Sequence, residues 1–208
     1  MTIRLKKRKG SGRVPRLRAI PGHRVVLLLW LVLFLFLIMV LSFPQWVTFF
    51  YPLPHREYVF NYANQFGVDP YLVFAIIRAE SEFKTQAQSA RGARGLMQIM
   101  PETARWISEQ MNRTDFEEEE LDNPQVNIEM GCWYIADLIQ EFGGRLPLAV
   151  AAYNAGRGNV RKWLVEGIWD GRKETVDDIP FAETKRYVKV VLTDYEIYRT
   201  IYSSQGYR

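Results

Sequence analysis

The sequence predicts an all-α domain behind a single N-terminal transmembrane helix, and three observations carry that reading. Seventeen consecutive apolar residues run from Val25 to Leu41. Residues 52–208 show no sustained period-two alternation of the kind that marks strands. Their apolar positions recur instead at helical spacing, punctuated by Asp-Pro, Asn-Pro and Gly signals. At 208 residues the chain has room for one domain of ordinary size plus an appendage. Its 48% apolar and 14% aromatic content excludes a disordered chain. A single cysteine, Cys132, excludes an internal disulfide framework and a cysteine-rich zinc module. Only His23 and His55 are present, which excludes a multi-histidine metal site and leaves the domain after His55 without a histidine for a Ser-His-Asp triad. No metal or other cofactor is expected.

The net charge of +4 hides a division along the chain. Residues 1–24 carry nine Lys/Arg and no acid, so the rest holds 18 basic against 23 acidic side chains. A basic arm alone is compatible with nucleic-acid binding. The apolar run that follows redirects the reading to a membrane, with no nucleic-acid partner. Seventeen helical residues span about 26 Å, and Ser42 and Phe43 extend the run to bilayer thickness. Trp46, Phe49, Phe50 and Tyr51 form an aromatic belt at the far interface. The competing reading is a cleaved signal peptide, but the run exceeds a usual h-region and no small-x-small cleavage site follows it. The expected organisation is therefore a basic cytoplasmic arm over 1–24, a bilayer anchor over 25–43, a linker over 44–55 and an extracytoplasmic domain over 56–208. The positive-inside rule supplies the orientation.

Within the domain a first helix is predicted over Arg56–Gln65, stopped by Gly67. Asp69-Pro70 reads as an N-cap followed by proline at the first helical position, opening a helix to about Phe83. A loop rich in small residues follows, and the next helix enters at Pro101. Glu117–Glu120 reads as a solvated loop. Asn123-Pro124 opens a helix with Ile128, Cys132, Ile135 and Ile139 on one face, ended by Gly143-Gly144, and this makes Cys132 a core thiol. Leu146, Val150 and Tyr153 mark the next helix, terminated at Gly156, with a short helix from about Asn159. After a loop over 167–178, Val188, Val191, Tyr195, Tyr198 and Tyr202 define a long last helix.

Glu80 is the residue that does not fit a structural helix. It lies at i+7 from Val73 and i+4 from Ile76, on the apolar stripe. A carboxylate there is costly unless paired or protonated, and the nearby helix C-terminus disfavours an anion. Both effects raise its proton affinity, as a general acid requires. The structural alternative is a glutamate that reaches solvent or pairs with Arg78.

Four blocks surround this residue in order: Ala79-Glu80-Ser81; Gly95-Leu96-Met97-Gln98 within 89–101; Ala151-Ala152-Tyr153-Asn154-Ala155-Gly156; and Ile179-Pro180-Phe181-Ala182-Glu183-Thr184-Lys185-Arg186-Tyr187. Taken together they closely resemble the SLT family of lytic transglycosylases, whose domain is lysozyme-like and related to goose-type lysozyme. The resemblance runs from about Tyr58 to Tyr202. It implies Glu80 as the catalytic acid and Ser81 as the neighbour that helps hold it. It also implies Met97 and Gln98 lining a sugar groove, Tyr153 and Asn154 near the acid, and Glu183 and Tyr187 on one face of the last helix. Each has a plainer reading: Met97 as gap-filling core, Tyr153 as a packed aromatic, Glu183 as an exposed first-turn residue.

The implied partner is the peptidoglycan glycan strand, cut between N-acetylmuramic acid and N-acetylglucosamine. Two rivals remain open at this point, a lysozyme-like hydrolase and an inactive wall-binding module. The motif blocks offer no obvious second catalytic carboxylate, which favours a scheme in which the muramic acid 6-hydroxyl closes on C1 to give 1,6-anhydro ends.

Overall fold

The computed structural model describes residues 22–41 and 48–203. Most of the basic arm, Ser42, Phe43 and Trp46 lie outside the described residues, so the expectations placed on them find no structural counterpart. The chain divides into two compact units at Trp46/Val47. The first contributes α1 (Gly22–Leu41), of which Gly22–Val40 has a mean hydropathy of 2.6 and is long and apolar enough to cross a membrane.

The second unit is helical, and among the described residues it has no strand, only two isolated β-bridges. Its helices are α2 (Arg56–Phe66), α3 (Pro70–Ser81), α4 (Pro101–Gln110), α5 (Pro124–Glu141), α6 (Leu146–Ala155), α7 (Arg157–Val165) and α8 (Ala182–Tyr202). The starts follow local chemistry. Asp69 Oδ1 accepts from the Tyr71 amide at 2.9 Å, Asn123 Oδ1 accepts from Gln125 at 2.9 Å, and a proline at N1 follows each cap. Gly67, with φ +70°, closes α2 by donating to Ala63 and Asn64 carbonyls.

Helix α3 is the centre of the fold. Tyr71 through Ile77 are all buried, so this helix has no solvent face along its middle and Glu80 emerges only where it ends. Against α3 packs α8; α2 lies on α5; α6 joins α5 to α8. The α3–α8 contact carries an ion pair, Arg78 Nε to Asp194 Oδ2 at 3.1 Å. A bond from Tyr195 Oη to Asp69 Oδ2 at 2.9 Å adds to it.

Several expectations shift. Helix α3 stops at Ser81, because Glu82 and Phe83 turn left-handed (φ 50° and 64°). Helix α7 starts two residues early, at Arg157, whose guanidinium pairs with Asp137 at 2.7 Å and Glu141 at 2.8 Å. The acidic tract is a 3-10 turn over Glu118–Asp122, held by Arg105 to Glu118 and Arg113 to Glu120, with Leu121 buried beneath. On α5 the buried line runs through Ile128, Cys132, Ile135 and Leu138, and Ile139 is half-buried. On α6 the buried run is Leu148–Ala152, so Leu146 and Tyr153 stand at its margins. Residues 51–55, read as linker, are partly fastened to the domain: Tyr198 and Tyr202 hydroxyls donate to the Pro52 and Tyr51 carbonyls at 3.1 and 2.6 Å.

Candidate active site

Glu80 occupies the last turn of α3, half-buried at the wall of a cavity of about 570 Å³. The same cavity is lined by Ala79 from α3, Asn154 from α6, and Ala182, Glu183, Arg186, Tyr187 and Val190 from α8. Burial raises the proton affinity of Glu80 most; Glu183 adds electrostatic repulsion and Tyr187 opposes the shift, and the acid is pushed up to about 7. Arg78, two residues earlier, does not neutralise it. That guanidinium is engaged by Asp194, by the Phe50 carbonyl and by the Tyr51 ring at 4.3 Å. Among the described residues Glu80 has no ion pair.

Two tyrosines flank the acid, and burial followed by the Glu80 charge drives both phenols well above their ordinary value. Tyr153 donates to the Met97 carbonyl at 2.8 Å, which fixes its ring against the loop before α4. The Tyr187 hydroxyl is buried without a partner that meets full hydrogen-bond geometry. Its proximity to Glu80 favours the ionised carboxylate. Asn154 Oδ1 accepts from Thr184 Oγ1 at 2.7 Å, which leaves its NH₂ group as the donor available to a ligand.

The loop that holds Tyr153 is built from the Gly95–Gln98 block. Buried Asn127 is its hub: Oδ1 accepts from the Met97 amide at 2.8 Å, and Nδ2 donates to the Arg94 and Leu121 carbonyls at 2.9 Å each. Gly95 (φ +78°) passes so close that a Cβ would stand 2.1 Å from Asn127 Nδ2. Gln98, itself left-handed at φ 46°, folds its amide back onto the Ala87 and Gly95 carbonyls at 3.0 and 2.9 Å.

Of the residues expected at the site, the structure brings Glu80, Asn154, Glu183 and Tyr187 to one cavity, with Tyr153 beside them. Ser81 and Met97 are placed elsewhere. Ser81 is buried and its hydroxyl donates to the Ile77 carbonyl at 3.1 Å. The Met97 side chain is fully buried against Gly131, so Met97 serves the site through its backbone. Gln98 is half-buried and spends its amide on the loop. Arg186, Val190 and Thr184 were not anticipated. Arg186 and Val190 lie at i+3 and i+7 from Glu183, beside Tyr187 at i+4, so a helical reading of the last block contains the whole stripe.

Another hollow, of about 510 Å³, lies between α2 and α5 and includes Trp133, Asp137 and Gln140. Its carboxylate, Asp137, is already paired with Arg157.

The site can therefore offer a protonated carboxylic acid near neutral pH, an amide donor and a second, exposed carboxylate in one groove. The profile of the transglycosylase SLT domain matches residues 57–175. A soluble lytic murein transglycosylase from Salmonella typhimurium is 38% identical over 153 residues, covering 72% of this chain and 23% of the relative. A membrane-bound lytic murein transglycosylase C from Actinobacillus pleuropneumoniae is 36% identical over 111 residues, 48% of this chain and 30% of the relative. The crystal structure of the 70 kDa soluble lytic transglycosylase from Escherichia coli superposes with a TM-score of 0.70 at 33% identity, covering 77% of this chain and 26% of that one. The chain thus spans about a quarter of the length of these relatives.

Proposed function

The chain belongs to the transglycosylase SLT domain family, and from that premise we propose that it is a membrane-anchored lytic transglycosylase of peptidoglycan. The observation that carries the reading is Glu80: a half-buried acid with no cationic partner among the described residues, proton affinity near neutrality, at the wall of a groove. A module that only binds the wall gains nothing from such an acid, and its desolvation is a standing cost to folding.

Glu80 protonates the glycosidic oxygen as the bond to the muramic acid C1 breaks, and the leaving N-acetylglucosamine takes the proton as its 4-hydroxyl. The sugar's own N-acetyl group supports the positive charge at C1, as in substrate-assisted glycosidases. Ionised Glu80 then removes the proton of the muramic acid 6-hydroxyl, whose oxygen bonds to C1. Proximity favours this internal hydroxyl over water. Asn154 and Tyr187 orient the sugar beside the acid, and Tyr153 fixes the wall behind it.

Glu183 supports a second reading. It lines the cavity with Glu80, and a carboxylate across a groove can activate water in a hydrolase. Full-length protein in detergent, incubated with purified sacculi, separates the two. The lyase releases fragments with 1,6-anhydro-muramic acid ends, lighter by one water, about 18 mass units, than hydrolytic products. Fragments with free reducing ends replace the lyase with the hydrolase, and no fragments at all leave a wall-binding module.

A further inference from the structure

Arg78 precedes Glu80 by two residues, and a guanidinium within reach of a desolvated carboxylate would pair with it and keep it ionised. Helical spacing is a weak barrier between the two. Residues two apart do not share a helix face, but α3 ends one residue after Glu80, and an arginine side chain is long and rotatable. Space connects them as well. Ala79 lines the cavity at Glu80 and also a second cavity, of about 640 Å³, whose wall includes Arg78, Asp194, Phe50 and Pro52. A released guanidinium therefore has an open route around Ala79 to the acid.

Three contacts hold Arg78 on the other side. Its Nε pairs with Asp194 Oδ2 at 3.1 Å, its Nη1 donates to the Phe50 carbonyl, and the guanidinium lies 4.3 Å from the centre of the Tyr51 ring. Tyr51 also donates its hydroxyl to Asp194 Oδ1 at 3.1 Å, so it touches both members of the ion pair. Asp194 is only 7% exposed, and a buried carboxylate stripped of its cation is costly, which makes it a strong competitor for Arg78. The segment itself is pinned from α8. Tyr202 and Tyr198 hydroxyls hold the Tyr51 and Pro52 carbonyls, and the Tyr51 and Tyr198 rings meet edge to face at 5.2 Å. Apart from Arg78, all of these residues lie outside the span 57–175 that the SLT profile matches.

On the reading of Glu80 as the catalytic acid, we propose that Asp194, Tyr51 and the Phe50 carbonyl form a latch that keeps Arg78 from pairing with Glu80, which makes Tyr51 and Asp194 positioning residues of the active site. The segment entering the domain then guards the proton with which the reaction starts. Other charged and titratable groups face Glu80: Glu183, Arg186 and Tyr187 from α8, and Tyr153 from α6. Beyond it, Glu82 pairs with Lys84 at 3.0 Å. None of these belongs to the latch, so they form a constant background when the latch is altered.

The test measures kcat/KM of full-length protein in detergent on purified sacculi between pH 5 and pH 9. Wild type is expected to decline as pH rises through about 7. Asp194→Asn keeps the shape but releases the guanidinium, and should move that decline down by about one pH unit or more, the scale of a new ion pair. Tyr51→Ala should move it in the same direction, and Tyr51→Phe, which keeps a ring beneath the guanidinium, should move it less. If Asp194→Asn does not fold, the two Tyr51 variants carry the same comparison. In an Arg78→Gln background none of these substitutions should move the decline, because no cation is left to release. A lower rate with the decline in its wild-type place is a purely structural effect and overturns the proposal, as does a shift that persists without Arg78. A shift in Asp194→Asn with none in Tyr51→Ala removes the entry segment from the latch. If the full chain cuts no strand, the enzymatic reading fails, and melting temperatures decide on the latch alone. The gain of Glu80→Gln over its parent at pH 8 should then shrink in the Asp194→Asn background and return when Arg78→Gln is added. An undiminished gain overturns the latch.

Discussion

Glu80 owes its chemistry to the place where α3 ends. Tyr71 through Ile77 are buried, and the helix runs only one residue beyond Glu80 before the chain turns left-handed. The carboxyl is thus set at the rim of the core, desolvated but open to the groove. Glu80→Gln keeps the shape and removes the transferable proton, so fragment release from sacculi should fall by about 10²–10⁴-fold. Activity within tenfold of wild type would remove Glu80 from the mechanism. The proton affinity also sets two pH dependences. In the proposed mechanism the acid form starts the reaction, so kcat/KM should decline as pH rises through about 7. For stability the folded group holds its proton to about 7 against an ordinary 4.5, so between those values the native state binds more protons than the unfolded chain. Stability then falls across that window and levels off above it. Melting temperatures of wild type and Glu80→Gln at pH 5 and pH 8 check the sign: the variant should gain on wild type at the higher pH. A gain at the lower pH instead would contradict the burial argument.

At the scale of elements, the Gly95–Gln98 loop is a positioning device, and Asn127 is what positions it. Its three hydrogen bonds bind the Met97 amide and the Arg94 and Leu121 carbonyls, and the Met97 carbonyl in turn receives the Tyr153 hydroxyl. Gly95→Ala places a Cβ 2.1 Å from Asn127 Nδ2 and 2.4 Å from the Leu121 carbonyl, on a backbone with φ +78°. Asn127 is held by three hydrogen bonds and the Leu121 carbonyl is backbone, so the substitution should cost more than about 2 kcal/mol in denaturant unfolding. Asn127→Leu should cost about 1–3 kcal/mol for each buried backbone group left unpaired. A Gly95→Ala protein as stable as wild type would mean that the loop is free to open. This hub explains what the sequence alone leaves hidden. The starts at Asp69-Pro70, Asn123-Pro124 and Pro101 were legible because an N-cap or N1 proline is a local matter within three residues. Glu80 was legible for the same reason, as an acid in helical register with apolar neighbours. That Met97 faces the core, and that Gln98 folds onto its own loop, depends on Asn127 and Gly131, some thirty residues away. The early start of α7 and the 3-10 turn in the acidic tract likewise depend on arginine pairs from other elements.

For the whole molecule, the division at Trp46/Val47 separates two physical problems. On the proposed function one unit is solvated by lipid and the other meets its substrate in water. Every described side chain of α1 through Val40 is exposed, and with a mean hydropathy of 2.6 the helix is long and apolar enough to cross a membrane. Orientation then rests on charge. Nine cations and no acid occupy residues 1–24, and the remainder of the chain carries an excess of acid. On the proposed anchoring, the positive-inside rule keeps the cationic arm in the cytoplasm and predicts that everything after α1 lies outside. On the proposed function that compartment is where a glycan strand would meet Glu80, so the proposed topology and the proposed chemistry agree. A phosphatase reporter fused after Arg208 should be active outside the cytoplasm, and the protein recovered from membranes should retain its basic arm. Replacing the Lys/Arg residues of the arm by neutral ones should weaken this preference and lower external reporter activity. A soluble product beginning between Ser42 and Tyr51 would instead make α1 a cleaved signal, releasing the domain from the membrane without altering the groove around Glu80.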